Sequence, residues 1–379
     1  MKFTKTVVRG RQGWVLDNDN ISLSLMAGGG HIAGLRLKGV DKNNPYWAPP
    51  WKSIEPWEYK AKDAKKYGIR LLSCISGHNI CLGAFGDPSE EEEKCGLSCH
   101  YEAPVGRWSV IRKNVSSRRL NFEYGCKLPV AQMSLKRAVS MRSGSNVINI
   151  RETIENLARR DVPFTMCQHV TFGPPFVEPN VTIFDAPATK GHTFPVKFSS
   201  PQRLKIDAEF KWPYGPGVKA KGSARVNLRF MGKERYGDYS ANLMDLKKEH
   251  AWFSAVNPRL GLMMAYVWRR ADYPWLGIWE ENCSRRESPW NGKTLTRGME
   301  FANSPFPLGL RKSVDLGKFH GQRTYAWLPA REKITRDYSI LVSRVSRDCR
   351  GIKNIIPGKG NFTLELMTST RKIVRKTVA

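Results

Sequence analysis

The stretch NVINIRETIEN, residues Asn146 to Asn156, alternates apolar and polar side chains along almost its whole length. This period of two is typical of a β-strand that buries one face and exposes the other. The same alternation recurs in HIAGLRLKG (31–39), LNFEYGCKL (120–128), ARVNLRFMG (224–232) and NFTLELMTS (361–369). Turn signals such as RSGSN, PYGPG, VNPRLG and IIPGKGN lie between strand stretches, and no long amphipathic helix is evident. The sequence therefore predicts an all-β protein with few short helices.

The length and composition of the chain fit one large folded unit. Of its 379 residues, 41% are hydrophobic and 25% charged, which excludes a disordered chain. Large β-sandwiches and barrels often form one domain at this length. No repeat with a period of about 20 to 50 residues is visible, which argues against propellers and solenoids. We expect a single domain over residues 1–379.

The N-terminus and the cysteines indicate a cellular compartment. The opening MKFTKTVVRGRQGWVLDNDN has no apolar core followed by a small-residue cleavage site, and no run of about 18 apolar residues occurs anywhere. The eight cysteines are scattered rather than dense as in secreted disulfide scaffolds. These features predict a cytoplasmic protein with reduced thiols and no membrane partner.

Three stretches resemble ligand sites but favour plainer interpretations. Cys95, Cys99 and His100 lie together in CGLSCH, but their spacing matches no common zinc pattern, so we expect no metal site. The glycines of GGGHIAG (28–34) fit a loose dinucleotide fingerprint, yet they lead into a strand rather than a helix, which predicts a tight turn. The acidic run DPSEEEEK (87–94) predicts a solvated loop. No cofactor is expected.

The net charge of +28 is the most unusual number in the composition, because a strongly basic surface attracts polyanions. The basic residues are spread along the chain in pairs such as Arg118-Arg119 and Arg285-Arg286, and no zinc-finger or RNP1-like pattern is present. The distribution predicts a solvated basic surface and no specific nucleic-acid partner. An anionic substrate stays an open hypothesis.

Chemistry-bearing residues are found around MCQHVTFGPPFVEP (166–179), where His169 stands in an apolar run before a Gly-Pro-Pro turn. A histidine in this setting is either a hydrogen-bonded core residue or part of a site. The residues that could meet it are His78 and Asp87 in SGHNICLGAFGD, His100 and Glu102 in GLSCHYEAPVGRW, and Glu300 in LTRGMEFANSPFP. Glu300 stands between two bulky apolar residues, and burial there would raise its pKa toward a useful range.

Taken together, these segments resemble the aldose 1-epimerase (galactose mutarotase-like) superfamily, most closely its aldose 1-epimerase-like bacterial branch. The likeness lies in an H-x-E segment before a tryptophan, a strand ending in TIEN, the segment HVTFGPP and a late RGMEF, and it spans the chain from GGGHIAGLRL to about Pro307. The resemblance implies a large antiparallel β supersandwich that binds a sugar in an open cleft on one concave face.

The resemblance also implies roles for individual residues. Glu300 would be the general base, His169 the general acid, and His100 a second histidine that binds and orients the sugar. Further candidate substrate-binding residues are His78, Arg70, Glu102, Trp51, Trp279 and Trp290. The sequence departs from the family at Tyr101, where a glycine is usual. It lacks the usual arginine segment, and the sugar-binding aspartate has no clear counterpart. These departures leave the identity of the sugar open.

The residue types suit the chemistry independently of the resemblance. Exchanging α and β anomers requires a base at the anomeric hydroxyl and an acid at the ring oxygen, which a glutamate and a histidine supply without metal or nucleotide. We therefore predict an aldose 1-epimerase that acts on a monosaccharide or sugar derivative. A non-catalytic carbohydrate-binding protein and a lyase or hydrolase on the same scaffold stay open as alternatives. The oligomeric state is not predicted.

Overall fold

A computed structural model describes residues 1–40, 44–218 and 224–379 of the protein. Strands make up 51% of it and helices only 8%, which confirms the all-β prediction with few short helices. None of the described helices is long and apolar enough to cross a membrane.

The elements are given in chain order. The first half of the chain contains β1 (Lys2–Val8), β2 (Arg11–Asp17), β3 (Ile21–Met26), β4 (Ile32–Leu37), a 3-10 turn (Ala61–Asp63), α1 (Ala64–Tyr67), α2 (Arg70–Cys74), β5 (His78–Gly83), α3 (Glu90–Lys94), a second 3-10 turn (Ala103–Val105), β6 (Ser109–Val115), β7 (Arg119–Leu128), β8 (Met133–Arg142), β9 (Val147–Asn156), β10 (Val162–Phe172), β11 (Ile183–Asp185) and β12 (Ala188–Thr193). The second half contains β13 (Glu209–Lys211), β14 (Tyr214–Gly217), β15 (Ala224–Asn227), β16 (Tyr236–Met244), β17 (His250–Asn257), β18 (Leu262–Arg269), β19 (Trp275–Asn282), β20 (Leu295–Ala302), α4 (Gly309–Leu316), β21 (Lys318–Phe319), β22 (Gln322–Arg323), β23 (Ala326–Leu328), β24 (Lys333–Arg344), β25 (Cys349–Pro357), β26 (Phe362–Thr368) and β27 (Ile373–Val378).

Two large antiparallel sheets form the body of the molecule. Twelve strands form the first sheet in the order β1-β2-β3-β4-β5-β10-β20-β19-β16-β12-β13, with β23 paired to β10. Eight strands form the second sheet in the order β11-β17-β18-β24-β9-β8-β7-β6, and β25, β26 and β27 make a separate small sheet. The inner faces of the large sheets pack on each other through one extensive apolar cluster. This architecture confirms the predicted antiparallel supersandwich.

The stretch that predicts the fold class is strand β9, and it alternates as expected. Ile148, Ile150 and Ile154 are buried in the core, whereas Asn149 and Arg151 point outward. Glu152 breaks the pattern, because it is a carboxylate on the apolar face of the strand and is fully buried. A buried carboxylate is costly unless it is paired, so its partners decide whether the strand can occupy this position.

Glu152 is paired with Arg137 of the neighbouring strand β8. Their side chains are both fully buried, and Arg137 Nε lies 2.7 Å from Glu152 Oε1. The same guanidinium donates hydrogen bonds from Nη1 to the Gly30 carbonyl at 2.8 Å and to the Tyr124 hydroxyl at 3.0 Å. The arginine is thus hydrogen-bonded to both its own sheet and the loop between β3 and β4.

A chain of hydrogen bonds continues from Glu152 into the first sheet. Gln168 of β10 donates from Nε2 to Glu152 Oε2 at 2.5 Å, and Gln168 Oε1 lies 2.9 Å from His78 Nε2 on β5. His78 Nδ1 then lies 3.1 Å from the Tyr266 hydroxyl, back on β18 of the second sheet. The network therefore joins the two sheets and holds β10 in one orientation.

Two segments that lie between the strands differ in structure. The segment PYWAPPWKSIEPWEY (45–59) has no regular strand or helix beyond an isolated bridge at Tyr46, as its prolines require. The segment DPSEEEEK is solvated as predicted, but Glu90–Lys94 forms the short helix α3 and not a loop. The helix forms because the Ser89 side chain accepts from the Glu92 amide while the Glu92 carboxylate accepts from the Ser89 amide.

Replacing Glu152 with glutamine tests whether the buried pair holds the sheets together. The change leaves the Arg137 charge without its counter-ion in the core, so we expect a loss of about 3–5 kcal/mol in the free energy of unfolding, measured by urea denaturation. Asp337→Asn is the control, because Asp337 pairs with Arg151 at 2.8 Å on the exposed face of the same sheet. We expect less than about 1 kcal/mol there. Equal losses in both variants would contradict the role of the network.

Candidate functional site

His169 and Glu300 face each other on neighbouring strands of the first sheet. Strands β10 and β20 are antiparallel and place His169 directly opposite Glu300 in the register. Residues directly opposite each other point to the same face of a sheet, so both side chains project away from the inter-sheet core. His169 Nε2 lies 3.1 Å from Glu300 Oε1. The structure therefore brings together the two residues predicted to be acid and base.

Local residues fix the two side chains in this position. His169 Nδ1 lies 2.9 Å from the hydroxyl of Thr171, two residues further along the same face of β10. Glu300 has glycines on two sides: a Cβ on Gly298 would lie 2.4 Å from Glu300 Oε1, and one on Gly277 would lie 3.3 Å from Glu300 Cβ. The glycines leave the room that the carboxyl occupies. Gly298 is the glycine of the RGMEF segment, so the motif itself contains one of the two glycines that make room for the Glu300 carboxyl.

Removal from water shifts both groups toward their neutral forms. Burial raises the pKa of the Glu300 carboxyl from 4.5 to about 8 and lowers the pKa of the His169 imidazole from 6.5 to about 4. At neutral pH the carboxyl keeps its proton and the imidazole does not take up a second one. The pair therefore holds a single proton in the hydrogen bond between Oε1 and Nε2.

His100 approaches the same pair from a loop. Its ring centroid lies 5.5 Å from that of His169, and its Nδ1 accepts a hydrogen bond from the Gly86 amide at 3.1 Å. Burial lowers the pKa of His100 to about 3, so this imidazole is neutral in the physiological range. His100 and Tyr101 both have positive φ, 63° and 62°, which is a strained conformation for residues other than glycine. The loop holds His100 over the sheet in this strained form.

A cavity of about 390 Å³ opens above the pair. That volume is in the range of small-molecule sites. Aromatic and aliphatic side chains form most of its walls, and a few polar groups converge on it. The residues that line it are Ile69, Leu71, Leu72, Ile75, Phe85, Gly86, Asp87, Cys99, His100, His169, Phe194, Lys197, Phe198, Tyr239, Trp279, Arg285, Trp290, Glu300 and Pro307.

The predicted tryptophans take different places around this cavity. Trp279 lies on β19 with its ring centroid 5.7 Å from that of His169. Trp290 packs edge-on against Trp279, with the two ring centroids 6.1 Å apart. Trp51 does not line the cavity: it packs edge-on behind Trp290 at 5.3 Å and donates from Nε1 to the Leu72 carbonyl. Two of the three therefore form walls, and the third supports one of those walls.

Three other candidate residues lie away from the cavity. His78 is in the core between the sheets, hydrogen-bonded to Gln168 and Tyr266. Glu102 accepts hydrogen bonds from the amides of Val130 and Ala131 and so fixes a loop. Arg70 begins helix α2, and its exposed guanidinium lies 6.0 Å from the Tyr59 ring. The sequence could not separate these residues from the site, because short spacing to a cavity residue does not decide which way a side chain points.

Several wall residues were not among the sequence-predicted site residues. Tyr239, Phe194 and Phe198 form an aromatic wall with ring centroids 5.2 to 5.8 Å apart. Arg285 and Lys197 also line the cavity, as does Asp87, which the sequence did offer as a possible neighbour of His169. These residues come from β16 and from loops distant in the chain, and no motif joins them in the sequence. Only the high aromatic content could have suggested them.

The structure offers no metal centre in the part of the chain that it describes. No group of three or more His, Cys, Asp and Glu side chains there is placed to hold a metal ion, and each of the eight cysteines is a free thiol. Cys95, Cys99 and His100 are close in sequence but do not form a metal-ligand cluster in the described structure.

A larger groove of about 700 Å³ lies on the outer face of the second sheet. Three of its charged side chains are paired: Arg151 with Asp337 at 2.8 Å, and Asp272 with Arg336 at 3.3 Å. Asp337 and its neighbours on β24 face the solvent, and no buried acid and base adjoin there within the described residues. The cavity over His169 and Glu300 is therefore the stronger candidate site.

Comparison with solved structures identifies the fold. A candidate aldose 1-epimerase from Klebsiella pneumoniae is 14% identical, with a TM-score of 0.67, over 89% of this chain and 80% of that one. A galactose mutarotase-like protein from Clostridium acetobutylicum is 12% identical, with a TM-score of 0.61, over 91% and 99% of the two chains. A candidate aldose 1-epimerase from Escherichia coli K12 is 12% identical, with a TM-score of 0.56, over 91% and 100%.

No protein-family model and no curated protein matches the sequence. At 10 to 15% identity the likeness to solved structures is one of fold. The chain has the galactose mutarotase-like β-sandwich fold.

Proposed function

We propose that the protein is an aldose 1-epimerase that interconverts the α and β anomers of a sugar in the cavity above His169 and Glu300. The observation that carries the proposal is the buried acid–base pair, with Nε2 and Oε1 only 3.1 Å apart on the floor of a cavity of about 390 Å³. The names of the structural neighbours, which include aldose 1-epimerase and galactose mutarotase, add support at the level of the fold.

The geometry of the pair fits the reaction because the anomeric hydroxyl and the ring oxygen of a pyranose are bonded to the same carbon. Two groups 3.1 Å apart can therefore reach both oxygens of one bound sugar. In the ion-pair arrangement, with the shared proton on the imidazole, Glu300 accepts the proton of the anomeric hydroxyl while His169 donates its proton to the ring oxygen. The bond between the anomeric carbon and the ring oxygen breaks, and a carbonyl forms.

Closure completes the exchange without any net transfer of protons. The open-chain aldehyde turns about the bond to the next carbon and presents its other face. Glu300 then returns its proton to the carbonyl oxygen as His169 takes the proton back from the attacking hydroxyl. The pair ends with the one proton that it held at the start, so the reaction needs no cofactor.

The cavity walls supply binding and orientation in this proposal. His100 is neutral, since burial lowers its pKa to about 3, and its ring lies within 5.5 Å of His169, so it can exchange hydrogen bonds with a sugar hydroxyl. Trp279, whose ring centroid lies 5.7 Å from that of His169, offers an apolar surface to the C–H face of the sugar ring, and Trp290 packs edge-on against Trp279. Asp87, on the loop between β5 and α3, is a carboxylate acceptor for a further hydroxyl.

Glu300→Gln tests the assignment of the base. The amide keeps the size of the side chain but cannot accept a proton, so we expect turnover to fall by about 10²–10⁴-fold while sugar binding is largely kept. Anomer exchange would be followed by NMR and binding by calorimetry. The control is Glu249→Gln, an exposed glutamate beside the outer groove of the second sheet, which should keep the full rate. Full activity in Glu300→Gln would show that the base is misassigned.

His169→Asn tests the acid in the same assay. Asparagine has no group that can donate a proton to the ring oxygen and take it back, so we expect a similar loss of rate with the fold retained. His250→Asn, in the outer groove of the second sheet, serves as the control. A variant that loses stability but keeps its rate per folded molecule would show that His169 is only a structural residue.

The shared proton predicts a bell-shaped dependence of the rate on pH. Below the pKa of His169, about 4, the pair carries two protons and Glu300 cannot act as a base. Above the pKa of Glu300, about 8, the pair loses its only proton and His169 has none to donate. We expect kcat/KM to be highest between these values and to fall on both sides. A rate that keeps rising through pH values above the pKa of Glu300 would contradict a one-proton mechanism.

A further inference from the structure

Two cations stand at one edge of the cavity, on loops that the sequence places far apart. Lys197 belongs to the loop between β12 and β13, and Arg285 follows β19. Both line the same cavity as Glu300 and His169. The fold brings them to one cavity, because 87 residues of chain lie between Lys197 and Arg285.

The two loops are held together by direct contacts. Ser199, two residues after Lys197, lies with its hydroxyl 3.0 Å from that of Ser284, which precedes Arg285. Gly237 makes room for this contact, because a Cβ there would lie 2.7 Å from Ser199 and 2.9 Å from Ser284. The cations are therefore carried by a joined pair of loops and not by two independent ones.

The charges of these side chains are only partly compensated. Within the described residues, no carboxylate lies at ion-pairing distance from the exposed Lys197 ammonium. Arg285 has one partner, Glu281, at 3.5 Å, and its guanidinium lies over the rings of Trp290 at 4.8 Å and Trp279 at 5.8 Å. Asp87 also lines the cavity but pairs with neither cation. The cavity lining thus holds two cations and, besides Glu300, one carboxylate.

The Trp279 ring is a common neighbour of the acid–base pair and of Arg285. Gly277 lies directly opposite Glu300, and Trp279 is two residues further along β19. The centroid of the Trp279 ring lies 5.7 Å from that of His169 and 5.8 Å from the Arg285 guanidinium, so the guanidinium and the acid–base pair border one cavity. A sugar whose anomeric carbon contacts Glu300 can thus extend a terminal substituent toward Arg285 and Lys197.

We propose that Arg285 and Lys197 form a subsite for an anionic substituent of the substrate, a phosphate or a carboxylate at the end of the sugar opposite the anomeric carbon. The inference rests on the proposed function, because it names the substrate class of the same cavity. An arginine presents a planar fork of donors suited to either oxyanion, and the lysine adds a second positive charge. The Trp rings hold the guanidinium in place before the substrate binds.

Binding measurements test the subsite without requiring turnover. Methyl glucoside cannot open its ring, so its affinity can be compared by calorimetry with that of methyl glucoside 6-phosphate and of methyl glucuronide. We expect both anionic ligands to bind at least about tenfold more tightly than the neutral one. Whichever of the two binds more tightly identifies phosphate or carboxylate as the preferred group. Equal affinities for all three ligands would overturn the proposal.

Variants connect the preference to the named residues. Lys197→Gln combined with Arg285→Gln should reduce the ratio of anionic to neutral affinity by about tenfold or more, because charge-assisted hydrogen bonds are lost. Arg286→Gln is the matched control, since this exposed neighbour of Arg285 does not line the cavity and should leave the ratio unchanged. A ratio that is the same in the double variant and in wild type would overturn the assignment of the subsite.

Anomer exchange with glucose, glucose 6-phosphate and glucuronate separates this inference from the proposed function. If no sugar is exchanged but methyl glucoside 6-phosphate binds through Lys197 and Arg285, the epimerase assignment fails and the anionic subsite stands. If glucose and the two anionic sugars are exchanged with equal kcat/KM, and their methyl analogues bind equally, the epimerase assignment stands and the subsite fails.

Discussion

The buried ion pair between Arg137 and Glu152 is the interaction on which the rest of the structure depends. Two charges inside an apolar sandwich are tolerated only because each has hydrogen-bond partners, and those partners reach from one sheet to the other. Gln168 takes up the second oxygen of Glu152 and thereby sets the orientation of β10. The next residue of that strand, His169, must then point to the opposite face, into the cavity.

The cavity uses the same physical effect that makes the buried pair costly. Desolvation disfavours the charged form of both His169 and Glu300. It therefore lowers the pKa of the imidazole and raises the pKa of the carboxyl. The two groups consequently share one proton and stay close to neutral. Gly277 and Gly298 make this possible, because any side chain at either position would meet Glu300 or the Tyr239 beside it. A glycine in a strand usually weakens it, and here it leaves space for a carboxyl.

In the proposed function the sheet carries the acid–base pair and the loops carry residues that would bind the substrate. The pair of catalytic candidates sits on adjacent strands whose register is set by many hydrogen bonds, so their separation is rigid. The residues that would choose the substrate, His100, Lys197 and Arg285, all stand on loops around the cavity. This division lets one scaffold accept different sugars through changes in its loops, as is common for folds that host several functions.

The sequence by itself determined the fold class, because alternation with a period of two and frequent turn residues admit little besides antiparallel sheets. It also predicted His169, Glu300 and His100 as site residues, since these stand in recognisable segments, and the fold places all three around one cavity. Only the tertiary structure decided which way each candidate points: His78 lies on a strand of the site's own sheet, yet its side chain lies in the core. Arg285 lines the cavity although no sequence motif predicted it as a site residue. Contacts between strands and loops that are distant in the chain decide which way a side chain points, and the local sequence does not encode those contacts.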